Sequence, residues 1–445
     1  MTPRVALLRP LSRSRGEFQE PLGLECLAGQ FKRDGIPCEI FDRELDVRLH
    51  KDTLAGVRAF APTLIGLTLM CKEEAPDALS LILRLKDTGA HFAAGGLLVT
   101  TNPALCQALF PEGVTLIRGE GEKVLAALAR GEAESRVLLD SAPLSPDEWP
   151  VPCRPQMEAY LALGGVMNLR ASRGCPGACL FCATPSLPAP YGLRAERSLS
   201  LMADEMQELV KRAKAGGFPP IFNFVDDDFG SIDRVEALCG LLAQRNIRAA
   251  FSLELRGAAL TGLADTARRF GRLKAGGLCR VFVGLENLDE PTLRRWGKPL
   301  DPSAVLGSIE AMRAAGILVH TGYILWHKDI FLPALALQVQ TLHEKGLFSP
   351  RLALSRLILY PGSRLCPPGE TSPRPQPLPP LCQAAWERVC AAAGPLMEAW
   401  MPLAQRLPDT ACRAHLTDDD SGLIALTEQL RALDEKAYEV TMQCL

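Results

Sequence analysis

Three cysteines stand within eight residues near the middle of the chain, in Ser172-Arg-Gly-Cys175-Pro-Gly-Ala-Cys179-Leu-Phe-Cys182-Ala-Thr-Pro185. Thiolates at Cys-x3-Cys-x2-Cys spacing can converge on three irons of a four-iron four-sulfur cubane and leave the fourth iron open. Zinc would call for a fourth ligand in a nearby Cys or His pair, and none follows. A disulfide cannot use three cysteines. Cys175, Cys179 and Cys182 are therefore the candidate metal ligands. The chain has 15 cysteines, an odd number, and no export signal, which argues against a disulfide framework. Isolated ones such as Cys26, Cys38, Cys239 and Cys390 read as small buried hydrophobes. An auxiliary cluster on Cys366, Cys382, Cys390 and Cys412 is disfavoured by their wide spacing.

Other polar residues close strand-like runs. Phe224-Val-Asp226-Asp227-Asp228-Phe229 ends one run in three carboxylates, a pattern shared by solvated turns. Ser252, Glu254 and Arg256 alternate, so all three project to one face. Buried charges must be paired, which suits a binding site, the alternative being an ion pair on an exposed face. Gly284-Leu-Glu286 and Leu359-Tyr-Pro361-Gly362-Ser363 end two further runs. His320, Tyr323 and His327 follow Gly316, where they could act as acid, base or radical relay, or simply pack a strand end. Asp228, His320 and Tyr323 are the candidate catalytic residues.

The elements that position these groups fall into an α/β pattern. Over residues 1–136, short apolar runs (Arg4–Leu8, Cys38–Phe41, Thr63–Met70, His91–Ala94, Val114–Ile117) alternate with helical stretches (Leu22–Asp34, Pro76–Thr88, Pro103–Leu109). That order predicts a parallel, doubly wound, Rossmann-like domain with its ligand beyond the carboxyl ends of the strands. Residues 137–165, with Pro143, Pro146, Pro150, Pro152 and Pro155, read as a linker. A second series over residues 166–370 has runs at Val166–Arg170, Ile221–Asp226, Ala250–Leu255, Arg280–Leu285, Leu318–Leu325 and Leu352–Leu359. Six such units predict a partial (β/α)6 barrel of TIM type, with its site at the carboxyl ends of the strands. Residues 371–445 open on a second proline-rich stretch and are helical by pattern, as expected of a cap. At 445 residues and a net charge of −2, composition offers no electrostatic case for nucleic acid or an anionic membrane. No run is long enough to span a bilayer, and the apolar stretch of MTPRVALLRP is too short for a signal peptide, so the chain is expected in the cytosol.

The cysteine loop, with a strand before it and the aromatic Phe181 ahead of its third cysteine, resembles that of the radical S-adenosylmethionine (SAM) superfamily. The resemblance implies that the open iron binds the amino and carboxylate groups of SAM, and that one electron from the cluster cleaves SAM to methionine and a 5′-deoxyadenosyl radical. It places Phe181, Asp226, Asp227, Ser252, Glu254, Arg256 and Glu286 around SAM, with the backbone at Leu359 along the adenine. The amino-terminal sequence narrows the choice. Pro21-Leu-Gly23-Leu-Glu-Cys-Leu-Ala28, Ile65-Gly66-Leu-Thr68, Gly95-Gly96, Gly119-Glu120-Gly121-Glu122 and Trp149-Pro150-Val-Pro152 resemble the cobalamin-binding subgroup, and the likeness runs from residue 1 to about 365. It implies a corrin site lined by Thr68, Gly95, Gly96, Gly119 and Glu120, and methylation of carbon in a small metabolite or natural-product precursor. An electron donor such as flavodoxin or ferredoxin is implied as a partner, with no nucleic acid and no membrane.

Two departures matter. Asp-x-His-x-x-Gly is absent, so no histidine of that motif serves as a lower cobalt ligand, and Asp42 does not replace it. The usual Gly-x-Pro is also missing from Gly316-Ile-Leu-Val-His320-Thr-Gly322-Tyr323-Ile-Leu-Trp326-His327. Two other readings stay open: a cobalamin-free radical dehydration, rearrangement or epimerisation of a small substrate such as a sugar, and a non-catalytic iron–sulfur protein. A methylthiotransferase is disfavoured, because neither a second cysteine triad nor a basic tail is present.

Overall fold

The computed structural model describes every residue except 1, 13–17, 140–143 and 188–192. Pro143 of the expected linker lies outside the described residues. Two compact units emerge, one of Met1–Asn168, Ala183–Glu196 and Cys366–Ser372, the other of Leu169–Cys182, Arg197–Leu365 and Pro373–Leu445.

The first unit is built on six parallel strands: β1 Val5–Arg9, β2 Cys38–Asp42, β3 Leu64–Thr68, β4 His91–Gly95, β5 Val114–Arg118 and β6 Val137–Leu139. Their order in the sheet is β2-β1-β3-β4-β5-β6. Alternation along each strand explains the double winding. Ala6, Leu8, Ile65, Leu67, Phe92 and Ala94 face one core, under helices such as Thr53–Phe60 and Ala75–Leu85. Val5, Leu7, Leu64, Ala93 and Ile117 face the other, under Leu22–Arg33 and Glu122–Ala129. The chain reverses direction across the sheet between β1 and β3, so the ligand-binding crevice of a doubly wound fold falls at their carboxyl ends. Val137–Leu139, read from the prolines that follow as linker, is instead an edge strand on β5, and Met157–Ala162 is a helix.

Strand β7 Met167–Leu169 leads into the second unit and is followed by the two-residue strand β8 Ser172–Arg173, and Ala195–Glu196 of the first unit is numbered β9. Next come β10 Ile221–Phe224, β11 Ala250–Arg256, β12 Leu278–Glu286 and β13 Leu318–Tyr323. The parallel sheet has the order β13-β12-β11-β10-β7. Five of the six expected barrel strands therefore form a ladder. The sixth does not: Ser349 and Pro350 start a short helix at Pro350–Ala353, and one parallel bridge, Trp326 to Arg356, is all that remains of that pairing. β14 Ile358–Leu359 turns back and pairs antiparallel with β15 Arg374–Pro375.

Burial shows which face of this sheet is open. The odd-numbered Phe251, Leu253, Leu255, Val281, Val283 and Leu285 are buried under the helices outside the barrel. The even-numbered Glu254, Arg256, Arg280, Phe282, Glu286 and His320 are exposed or half-buried and line the concave side. Helices Pro380–Thr417 and Ser421–Cys444 complete the unit. The second half of Pro380–Thr417 packs at the amino ends of the strands. Leu318, the first residue of β13, lies against Ala404 and Leu407, the Cys412 thiol meets that of Cys279, and Arg248, just before β11, donates to the Leu416 carbonyl at 3.3 Å.

Candidate active site

The cysteine loop leaves β7 at the carboxyl end of the sheet and is tied down along its length. Leu180 N–H donates to the Trp296 carbonyl at 2.8 Å, Leu365 N–H donates to the Leu180 carbonyl at 3.0 Å, and Gly177 N–H donates to Cys175 Sγ at 3.4 Å. Gly297, at φ +69°, lets the chain pass so close that a Cβ there would sit 2.8 Å from the Ala178 carbonyl oxygen. The Phe181 ring stands edge-on to Trp296 at 5.7 Å, so it packs beside the loop. Burial pushes the Cys175 and Cys179 thiols up, and the cations Arg256 and Lys298 oppose that shift by favouring thiolate.

Around this loop the strand ends take different parts. Asp226 was expected at the SAM amino group. Its buried carboxylate instead accepts from Ala171 N–H at 3.2 Å, from Ser172 N–H, and from Ser172 Oγ at 2.7 Å. It braces the segment that leads into the cysteines. Burial, the dominant cause, pushes its carboxyl up to about 6 from 3.8, against the Ser172 and Ala171 hydrogen bonds. The folded state thus holds a proton that the unfolded chain has released. This contribution to stability is full below 3.8 and is lost as pH rises through about 6. Between about pH 4 and about pH 7, the denaturation midpoint of the parent is expected to fall relative to that of Asp226→Asn. Parallel curves would show that this carboxyl does not titrate there.

Asp227 is exposed at the same strand end. Asp228 is buried and accepts from Gly230 N–H at 3.2 Å and from Arg256 N–H at 3.3 Å. Ser252 Oγ donates to Asn223 Oδ1 at 2.7 Å, and Glu254 is exposed on the concave face. Arg256 turns toward the cysteines: a Cβ on Gly177 would lie 3.4 Å from both its Nε and Cys175 Sγ. Leu359 is buried in β14, outside the barrel ladder.

Glu286 sits at a break in register between β12 and β13, with φ +66°, a strained backbone for a residue with a side chain. It accepts from Lys298 Nζ at 2.9 Å. Lys298 went unnoticed in the sequence because it lies in a loop with no strand pattern around it. Gly284 and Gly322 pair across β12 and β13 and let that ion pair pack down onto the sheet. A Cβ on Gly284 would meet Lys298 Nζ at 2.7 Å and Glu286 Oε1 at 2.8 Å. One on Gly322 would meet the Phe282 ring at 3.0 Å.

Tyr323 is corrected as a catalytic candidate. It projects to the outer side of the sheet, where its hydroxyl donates to Gln338 Oε1 at 2.5 Å and accepts from Leu288 N–H at 3.1 Å. Burial pushes its ionisation up, so it stays a neutral structural hydroxyl. His320 faces the concave side, and Arg280 Nη2 donates to its Nδ1 at 3.2 Å. His327 is buried edge-on to Trp296 at 5.0 Å, with neither ring nitrogen hydrogen-bonded among the described residues. Burial lowers it to about 4, which keeps it neutral.

In the first unit the expected corrin-lining residues gather at the carboxyl edge of the sheet. Thr68 and Gly95 are paired neighbours at the ends of β3 and β4. Gly96, at φ +98°, lies so close to the next loop that a Cβ would meet the Leu69 carbonyl oxygen at 2.5 Å. Gly119 N–H donates to Thr100 Oγ1 at 3.0 Å, and Thr100 Oγ1 donates to the Gly96 carbonyl at 2.9 Å, joining two of these loops. Glu120 follows half-buried, while Met70 and Leu97 hold apolar surface open at the same edge. Asp42 is locked elsewhere, accepting from Tyr160 Oη and capping helix Arg43–Arg48 through Glu44 N–H. His91 lies at the opposite, amino end of β4 with its ring on Thr115, so it is not at that edge.

Two family models match the chain in succession: the B12 binding domain over residues 8–129 and the Radical SAM superfamily over residues 169–329. The chain joins a B12 binding domain to a radical SAM domain.

Among curated relatives of this radical SAM enzyme, the hopanoid C-3 methylase of Methylococcus capsulatus is 25% identical over 70% of this chain, and the match spans 62% of the methylase. An uncharacterized methyltransferase of Pyrococcus horikoshii is 24% identical over 72% of each chain. Among solved structures, the cobalamin-dependent radical enzyme OxsB with aqua-cobalamin bound aligns with a TM-score of 0.77 at 14% identity, covering 99% of this chain and 78% of that one. TsrM from Kitasatospora setae, a methyltransferase with cobalamin and a [4Fe-4S] cluster bound, aligns at 0.65 and 17% identity, over 82% and 74%. At such identities the structural likeness speaks for the fold.

The cofactors of this radical SAM enzyme are a [4Fe-4S] cluster, SAM and cobalamin, and the residues present fit them. Among the described residues, no three His, Cys, Asp or Glu side chains converge as a single metal ion would require. A cubane spreads its thiolates over three irons, and Arg256 and Lys298 supply cations beside Cys175 and Cys179. Gly284 and Gly322 let the Glu286–Lys298 ion pair lie close against the sheet, where it holds a carboxylate near the cysteine loop. Glycines at the ends of β4 and β5, with exposed Met70 and Leu97, suit the close approach of a flat macrocycle.

Proposed function

We propose that this protein transfers a methyl group to carbon in a small molecule by cobalamin-dependent radical chemistry. The observation that carries the reading is one chain holding both a glycine-edged, B12-type sheet and a cysteine loop above an open concave sheet face. The methylase names of its relatives point the same way. Bound there, the cluster and SAM supply a carbon-centred radical and cobalamin supplies the methyl group. The protein's own part is to hold and shield. Cys175, Cys179 and Cys182 hold the cluster, with Arg256 and Lys298 stabilising its thiolates. Glu286, fixed by Lys298, offers a carboxylate oxygen to a SAM amino group. Asp226 keeps the cysteine loop in register through Ser172. Asp228 sets the Arg256 backbone, and Glu254 and His320 face the substrate side.

An electron donor of flavodoxin or ferredoxin type and a cytoplasmic setting go with this reading. No helix among the described residues is long and apolar enough to cross a membrane. The test is anaerobic reconstitution with iron, sulfide and hydroxocobalamin, desalting, and measurement of the retained cobalamin from its visible spectrum. Near-stoichiometric retention is the expected result. A sample that cleaves SAM but retains no cobalamin would sink the methyl-transfer reading in favour of a radical dehydration or rearrangement.

A further inference from the structure

Lys298 is a buried cation that its own backbone brings to the cysteine loop. Helix Glu290–Arg295 ends in a turn in which Lys298 N–H donates to the Leu293 carbonyl at 2.9 Å. The residue before it, Gly297, lies against the two residues that flank Cys179. A Cβ there would stand 2.8 Å from the Ala178 carbonyl oxygen and 3.7 Å from Leu180 Cγ. The hydrogen bond from Leu180 N–H to the Trp296 carbonyl fastens the same contact. From this anchor the Lys298 side chain runs over Gly284, and its Nζ donates to Glu286 Oε1 at 2.9 Å. Side-chain exposure is only 9% for Lys298 and 14% for Glu286, so water screens the pair little. Burial pushes the Cys179 thiol up, and among the charges acting on it Lys298 outweighs Glu286 and Arg256. The net field of the ion pair at Cys179 is therefore positive.

We propose that Lys298 sets the reduction potential of the iron–sulfur cluster, raising it toward the reach of a flavodoxin or ferredoxin. The inference rests on the assignment of that cluster to Cys175, Cys179 and Cys182. In the reduction one electron leaves the donor and enters the cluster, whose net charge falls by one. No bond forms or breaks, and no proton moves. A fixed cation beside a ligand thiolate lowers the energy of the more negative state, and net local charge is one of the levers on such potentials. An exposed lysine would do little there, because water and salt would screen it. The buried ammonium of Lys298 keeps its effect, and the Glu286 carboxylate opposes it with a charge of the other sign. The two residues thus pull the potential in opposite directions.

The experiment is an anaerobic redox titration of the reconstituted protein without SAM, poised with dithionite and mediator dyes. Electron paramagnetic resonance follows the reduced cluster, and iron and sulfide are counted in every sample. In Lys298→Met the ratio of reduced to oxidised cluster at a fixed potential should fall about tenfold, a midpoint about 59 mV lower. Lys298→Arg, which keeps the charge, should stay near the parent. Glu286→Gln should move the midpoint upward, because the ammonium then acts without its counter-charge. A merely structural role would not give opposite signs, since loosening the loop from either side would lower the cluster content in both. A parental midpoint in Lys298→Met at full cluster content, or shifts of one sign in Lys298→Met and Glu286→Gln, would overturn the proposal. If Lys298→Met loses its cluster, the direction of the Glu286→Gln shift decides alone. A parent that takes up no cluster would overturn the cysteine assignment and the proposal with it, an outcome read from the iron count before any titration.

Discussion

Cys179→Ala is expected to yield a protein that folds, binds less than a full complement of iron and sulfide, and forms no 5′-deoxyadenosine from SAM. Cys179 is the most buried of the three loop cysteines; burial pushes its thiol up, and Lys298 opposes that shift. Alanine removes one of the three cysteine ligands that the loop offers to a cubane. The two remaining thiolates cannot hold the site-differentiated iron in place, so the loss should run to background. Cys175→Ala and Cys182→Ala should behave alike. Cys444→Ala, at the far end of the last helix, should keep both cluster and cleavage. Parental rates of SAM cleavage in Cys179→Ala would show that the cluster is held elsewhere.

Arg154→Met should produce the largest loss of stability in the first unit. Arg154 Nη1 donates to Glu20 Oε2 at 2.5 Å and Glu25 Oε2 at 3.1 Å, and Nη2 donates to the Asn168 carbonyl at 2.5 Å. The side chains of all three charged residues are 1% exposed. Methionine matches the bulk but leaves two carboxylates facing each other without their cation, which costs about 3–5 kcal/mol. Lysine keeps the charge and cannot bridge three acceptors, so Arg154→Lys should recover only part of the loss. Denaturant unfolding followed by circular dichroism measures both. A midpoint in Arg154→Met equal to the parent's would show that this network does not hold the unit.

Much of this was legible because its causes are local. The cysteine spacing states its own chemistry, and the strands of the first unit are apolar runs long enough to have no other use. Helices Arg43–Arg48 and Thr53–Phe60 were missed because their caps, Asp42 and Asp52, lie in polar stretches without a clear apolar period. Val137–Leu139 was hidden by the prolines after it, since three residues carry almost no pattern. The apolar run at Leu352–Leu359 looked like a sixth strand, yet Ser349 caps a helix by accepting from Leu352 N–H, and the ladder ends there. Side-chain roles needed tertiary facts. Whether Tyr323 faces inward depends on strand parity, and the register break at Glu286 lies on the neighbouring strand. Asp226 finds its partners at Ala171 and Ser172, more than fifty residues away in sequence, where no motif could place them. The Arg280–His320 pair joins two strands that only the register brings together.

The helix Pro380–Thr417 contains Pro395, Pro402 and Pro408. Each proline lacks the N–H that would have bonded four residues back, so the carbonyls of Ala391, Glu398 and Ala404 lose their helical donors. A straight rod of this length would run for about 57 Å and could touch a curved surface over only part of it. Removing three rungs gives the rod joints instead, and bends of this kind let a helix wrap around what it packs against. The three prolines therefore mark the places where this helix can bend as its second half packs at the amino ends of the strands.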